Sequence, residues 1–479
     1  MTSSASYKKL STADNPFLES LERGRVASED DDDLTNVVAV RNDKPFPISR
    51  PPPQVRDWPY AVAFLLHFGA ILLLSFIEHG SLRHSLLNYE RASSWASMLM
   101  IVTLLGSCTG ALVVFLLGLS SVRETLMASV IPFSLVLKVC LGNILLIMRS
   151  EYSFLGVLVI LSAVVDSFWS RAARQSAGFS SALVQMAIDT TRLYGVLLGV
   201  TVGVIVAVQT CILLWWGAFF VGLISTYSVG YAETLIVLMA LSLYWITQFF
   251  HSLLAFVVGG CVLWVFVRDG KEGGEAESLT SRLALYLQCA LTTSLGSICK
   301  GALLTPPAEV VLTLHHWVTR RQGGGPVSAC SLRGAASCLL SRPLISAAEK
   351  HHRLTLSLLA LYGRAFCPTA LSHLEAHPET LDITTEDCTR FLLDCAAVVA
   401  ASVLAIVFGL VAEREGASWP LFFFVCFYLA YCGVSLAVQA YSSAVDALIV
   451  ASAINPIRFA HENQIVFLRF LRTSEQELR

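Results

Sequence analysis

Between Tyr231 and Val267 the chain runs for 37 residues with one acid, Glu233, one histidine, His251, and no Lys, Arg or Asp. A helix of that length measures roughly 55 Å, well beyond the ~30 Å hydrocarbon core of a bilayer. Such a segment must tilt strongly, break, or project past the lipid. At its middle lies Tyr244-Trp245-Ile246-Thr247-Gln248, an aromatic pair followed by hydrogen-bonding side chains. Polar groups at mid-depth in a membrane are costly and commonly handle a solute.

The remaining composition agrees with a membrane solvent. Hydrophobic residues make up 55% and charged residues 14%, against roughly 25% charged in a soluble domain. The net charge of −2 and the lack of a basic block with interleaved aromatics exclude a nucleic-acid partner. The thirteen cysteines form no Cys-x-x-Cys and mostly sit in apolar runs, where the thiol behaves as a small hydrophobe. No metal site and no cofactor is expected. Enzymatic patterns such as His-Glu-x-x-His or a phosphate-cradling glycine loop are missing, so the chain does not read as an enzyme.

The sequence predicts an all-α, polytopic integral membrane bundle of about ten transmembrane spans in the lipid bilayer. Residues 1–56 read as a disordered tail with an acidic run, Glu29 to Asp33, and a proline cluster from Pro45 to Pro53. The transmembrane domain covers 57–460, and a polar tail follows over 461–479. Spans are expected at 58–78, 95–119, 126–148, 152–169, 196–221, 231–267, 282–305, 391–411 and 419–440. The stretch 354–371 is apolar enough to cross, re-enter or lie on the surface. Pro306-Pro307 are expected to end the seventh span. Residues 171–194 carry an apolar face of Phe179, Leu183 and Met186 and suit an interfacial helix. The loop 319–353 is basic and belongs in the cytoplasm by the positive-inside rule. Counting single crossings from a cytoplasmic N-terminus puts it outside, which makes 231–267 the first suspect for a re-entrant pair.

Four separated segments resemble the choline transporter-like family. They are Leu243-Tyr244-Trp245-Ile246-Thr247-Gln248 with Gly259-Gly260 and Trp264; Thr292 to Leu303, built around Gly296-Ser297 and Gly301; Ala360-Leu361-Tyr362-Gly363-Arg364-Ala365-Phe366-Cys367; and Val445-Asp446-Ala447-Leu448. They occur in the family's order over residues 58–470. Lys300 stands where the family usually has an aromatic residue, Ala302 where it has Ser, and the first external loop is short, as in plant and fungal members. The resemblance implies movement of choline or a related small cationic amine across a plasma or organellar membrane.

A quaternary ammonium has no N–H to donate and is held by aromatic faces, each worth ~0.5–2 kcal/mol, often beside a carboxylate. Tyr244 and Trp245 are the expected cage, set against a packing role, in an alternating-access site at mid-membrane. Trp215 and Trp216 in span five and Tyr428 and Tyr431 in span ten are further aromatic material. Gln248 is placed to hydrogen-bond the substrate hydroxyl. Asp446, which matches the family's terminal Asp, would supply negative potential. His251 follows on roughly the face of Tyr244 and suits either proton coupling or a bridge between helices. Glu233 is either an anion at the mouth of a pathway or a carboxylate placed for the helix dipole. Lys138 sits near the centre of span three, within about one turn in depth of Asp166 across the hairpin, and the two are expected to form an ion pair, set against a role in transport or coupling. Two alternatives stay open: a transporter of another solute such as ethanolamine, and a non-transporting scaffold whose acidic tail recruits partners.

Overall fold

A computed structural model describes residues 56–77, 124–148, 153–226, 229–267, 279–320, 342–363, 366, 383–414 and 419–454. These form eleven described helices and no strand: α1 Trp58–Ile77, α2 Glu124–Met148, α3 Ser153–Arg192, α4 Gly195–Thr226, α5 Val229–Val267, α6 Leu279–Leu291, α7 Leu295–Arg320, α8 Arg342–Glu349, α9 Leu354–Tyr362, α10 Ile383–Arg414 and α11 Trp419–Ile454. The acidic tail and the expected span 95–119 lie outside the described residues.

Six of these helices are long and apolar enough to cross a membrane: α1, α2, α4, α5, α10 and α11. The ten spans expected are therefore not reached among the described residues. In the spanning windows of α1 and α2 only 17% and 22% of residues are buried by protein. Leu66, Leu73 and Phe76 of α1 and Ile147 of α2 stand outward. In water such surfaces would be large aggregation-prone patches, whereas hydrocarbon solvates them. At the other extreme, 83% of the α5 window and 94% of the α11 window are buried. Those two helices form the centre of the bundle, with α10 against α11, α2 against α3, and α9 against α5.

Several expected boundaries move. The 231–267 segment is not a re-entrant pair: α5 is one unbroken helix of 39 residues, roughly 58 Å long. The apolar part of span four and the expected interfacial helix fuse into a single 40-residue helix, α3. Its Leu183, Met186, Ala187 and Ile188 are buried in the main core rather than laid on the lipid. An amphipathic stripe meets its apolar requirement equally well against neighbouring helices. Span seven divides at a turn over residues 292–294 into α6 and α7. Residues 342–349, expected within a loop, form α8. The ambiguous stretch 354–371 contributes α9, nine residues closed by Gly363 at φ 58°, roughly 14 Å long and too short to cross. It rests on α5 at Gly259, where an added Cβ would lie 2.5 Å from the Ser357 hydroxyl. The paired glycines of that motif are therefore what lets α9 sit so close.

Candidate functional site

Helices this enclosed should present no accessible polar face, yet α5 and α11 each do. Along α5, Tyr244, Gln248 and His251 are partly accessible, and every residue from 252 to 263 is buried. Along α11, Tyr428, Tyr431, Ser435 and Gln439 are accessible, and every residue from 440 to 451 is buried. Spacings of three and four place each set on one helical face. The faces adjoin: His251 Nε2 lies 3.5 Å from the Ser435 hydroxyl, and Leu243 packs in one cluster with Leu429. The result is a polar seam between two helices running in the same direction, open along one half and shut along the other.

At the shut end four charged side chains from distant parts of the chain meet. Glu309 comes from α7, Arg353 from the turn before α9, Arg390 from α10 and Asp446 from α11. Arg390 donates to Glu309 Oε2 at 3.3 Å and to Asp446 Oδ2 at 3.2 Å. Arg353 Nε stands 4.0 Å from Glu309 and 3.9 Å from Asp446. The Arg353 and Asp446 side chains are 8% and 5% exposed. Charges this far from water persist only when paired, and two arginines against two carboxylates leave the group neutral. Asp446 thus lies inside an ion cluster.

Tyr244 and Trp245 are adjacent but point to different partners. The Tyr244 hydroxyl donates to the Leu303 carbonyl at 3.1 Å. That carbonyl would ordinarily accept the amide of residue 307, which is proline and has no N–H. The tyrosine replaces the lost bond, so α7 continues through Pro306-Pro307 to Arg320. The same phenol lies within the field of Glu309. Trp245 is buried, donates from Nε1 to the Cys299 carbonyl at 3.1 Å, and meets Phe64 of α1 edge-on at 5.3 Å. Gln248 lines the seam, and His251 lies within the field of Arg390. Of Glu233 only the helical backbone is described.

Two further charged contacts tie the bundle together. Lys138 of α2 donates to Asp166 of α3, joining the hairpin within its apolar layer. At the start of α1, Asp57 accepts the Ser297 hydroxyl at 2.7 Å, the Phe366 amide at 3.0 Å and the Lys300 ammonium at 3.2 Å. Burial alone would raise the Asp57 carboxyl; the Phe366 amide, Ser297 and Lys300 outweigh it and hold it below its ordinary value. Lys300, the departure from the family pattern, is therefore answered by Asp57, and its ammonium lies 5.4 Å from the Tyr60 ring centre. Gly296 leaves the room this docking needs, since any Cβ there would overlap the Arg56 and Asp57 carbonyls.

Sequence reasoning missed Glu309, Arg353 and Arg390 as a group, and it missed Asp394. Asp394 interrupts the apolar run Phe391-Leu392-Leu393-Asp394-Cys395-Ala396-Ala397, a local signal as clear as that of Lys138. Its side chain is exposed in the helical bundle. It lies within the fields of Arg390, Arg353, Glu309 and Lys138, and Tyr431 lies within the field of Asp394. Through Arg390, α10 meets α11 at the closed end of the seam.

No curated protein matches the chain. Residues 153–456, well over half of the sequence, match the family model described as the plasma-membrane choline transporter. The matched region contains α3 to α11, and with them the whole seam and its ion cluster. This multi-pass membrane protein belongs to the choline transporter family.

Proposed function

We propose that the protein carries choline, or a closely similar small cationic amine, across the plasma membrane by alternating access along the seam of α5 and α11. One observation carries the reading: on α5 and α11 residues 252–263 and 440–451 are all buried, while Tyr244, Gln248, His251, Tyr428, Tyr431, Ser435 and Gln439 in the preceding halves are accessible. From Tyr428 to Asp446 the strip measures roughly 27 Å, close to the thickness of the hydrocarbon core. In this reading Tyr244 and Gln248 line the open half, with Gln248 taking the substrate hydroxyl. Trp245 forms the wall behind Tyr244 and couples α1 to α7. Asp446 acts through the ion cluster, which is the closed gate, and reopening of that end requires its arginine contacts to part. His251, beside Ser435 and under the field of Arg390, bridges the helices where the strip narrows.

The test is uptake of labelled choline by cells lacking their own high-affinity uptake, at matched surface expression. The wild type should give saturable uptake, and Gln248→Leu should weaken it. Absence of uptake from protein confirmed at the surface would refute the proposal.

A further inference from the structure

The ion cluster at the shut end divides into two parts that are each neutral. Glu309 and Arg353 come from α7 and the turn before α9, whereas Arg390 and Asp446 come from α10 and α11. Two of the four contacts lie within a pair, Arg353 to Glu309 at 4.0 Å and Arg390 to Asp446 at 3.2 Å. The other two cross between the pairs, Arg390 to Glu309 at 3.3 Å and Arg353 to Asp446 at 3.9 Å.

The helices behind each pair are tied to one another. Behind the first, Asp57 at the start of α1 accepts hydrogen bonds from Ser297 and Lys300 of α7 and from the Phe366 amide just beyond α9. Asp57 has φ 49°, a left-handed backbone that a non-glycine residue keeps only where its surroundings impose it. The same set includes α5, whose Trp245 donates to Cys299 of α7 and meets Phe64 of α1, and whose Gly259 seats Ser357 of α9. Behind the second pair, Lys138 of α2 joins Asp166 of α3. The buried Thr389 hydroxyl of α10 donates to Ser180 of α3 at 2.9 Å, and α10 packs against α11. The seam of α5 and α11 runs between the two sets.

We propose that the closed end opens by parting the α5 side (α1, α5, α7 and α9) from the α11 side (α2, α3, α10 and α11), each moving as a unit with its own acid and arginine. Only the contacts Arg390–Glu309 and Arg353–Asp446 then break, and neither side carries a lone charge into the membrane. A buried charge stripped of its partner is far costlier than a pair moved intact, and rotation of packed bodies about an interface is an ordinary route of switching. The proposal rests on the transport reading for why the end opens and goes beyond it in naming what moves and what breaks. Asp57 becomes a positioning residue, keeping Glu309 and Arg353 on one body.

Four double variants test this split. Each keeps one acid and one arginine, so the closed cluster stays neutral in all of them. Glu309→Gln with Arg353→Gln, and Arg390→Gln with Asp446→Asn, each clear one side and leave the opposite pair whole. Glu309→Gln with Arg390→Gln, and Arg353→Gln with Asp446→Asn, leave an arginine on one side and an acid on the other, so opening strands both. Uptake of labelled choline is measured at matched surface expression. Thiol labelling of Ser442→Cys, a buried position between Gln439 and Asp446 on α11, is measured beside it in a background freed of native cysteines. The same-side variants should keep most of the uptake and labelling, whereas the cross-side variants should lose about tenfold or more of both. Simple damage to the fold would not sort the four in this way. Equal behaviour of all four, or the reverse order, would overturn the proposal. Should the cross-side variants not reach the surface, a disulfide between Ser180→Cys and Thr389→Cys decides. Uptake unchanged by that bond supports a rigid α11 side, and uptake lost on oxidation and regained on reduction would overturn it. Wild-type protein that takes up no choline, with the labelling order intact, would refute the transport reading and keep the split.

Discussion

Replacing Asp446 with Asn changes the charge of the cluster by one while keeping the shape of the side chain. The carboxylate accepts a charge-assisted hydrogen bond from Arg390 at 3.2 Å and faces Arg353 at 3.9 Å. A hydrogen bond to a charged group contributes about 1.5–3 kcal/mol, and removing one partner of a buried pair costs about 3–5 kcal/mol. Arg390 is about a fifth open, at 21%, and Glu309 still holds both arginines, so the lower part of that range applies, about 2–3 kcal/mol. Arg390→Gln unbalances the cluster in the opposite sense, leaving two carboxylates and one arginine. The double variant restores one of each. A double-mutant cycle on thermal denaturation of the purified protein should therefore give a coupling of about 2 kcal/mol, the pair being more stable than the sum of its parts. For a chain of this length the single variants should lose about 2–3 °C each. Strict additivity, or an Asp446→Asn variant as stable as wild type, would refute the view that this carboxylate is a member of a closed ion cluster.

Asp166→Asn should strand the Lys138 ammonium in the apolar layer and lower the amount at the cell surface, measured by surface biotinylation; Lys138→Met in the same chain should restore it. Gly259→Val should drive a side chain into Ser357 and destabilise by about 1–3 kcal/mol, read as an earlier thermal transition that Ser357→Gly partly recovers. The Asp57 carboxyl is held below its ordinary value of 3.8, so the stability it contributes is present above that pH and is lost only as pH falls further. The difference in thermal stability between wild type and Asp57→Asn should accordingly stay constant from pH 5 to 8, and a decline across that window would count against the Ser297, Phe366 and Lys300 contacts.

What was legible in the sequence depended on whether the signal was local. The length and polarity of α5 come from consecutive residues, and the spacing of Tyr244, Gln248 and His251 places them on one face before any partner is known. The motif around Gly259-Gly260 likewise announces a close approach, though not that α9 makes it. Continuation of α7 through Pro306-Pro307 was hidden, because the bond that compensates Pro307 comes from Tyr244, far back in the chain. The ion cluster was hidden for the same reason: Glu309, Arg353, Arg390 and Asp446 come from four elements, and no pattern of spacing joins them. Residues 171–194 misled because an apolar stripe looks alike whether it meets lipid or protein. Asp394 was different, since a lone acid within an apolar span is visible in the sequence by itself.

In the proposed mechanism the substrate moves along the accessible strip of α11. Cysteine replacements at Tyr431, Ser435 and Gln439, with Val434 and Ala437 as buried neighbours, test it in a background freed of native cysteines, using a membrane-impermeant thiol reagent with and without excess choline. Labelling is expected at the three strip positions, with protection of those positions by choline and little labelling at Val434 and Ala437. Uniform labelling at all five, or labelling at the strip that choline leaves unchanged, would contradict it.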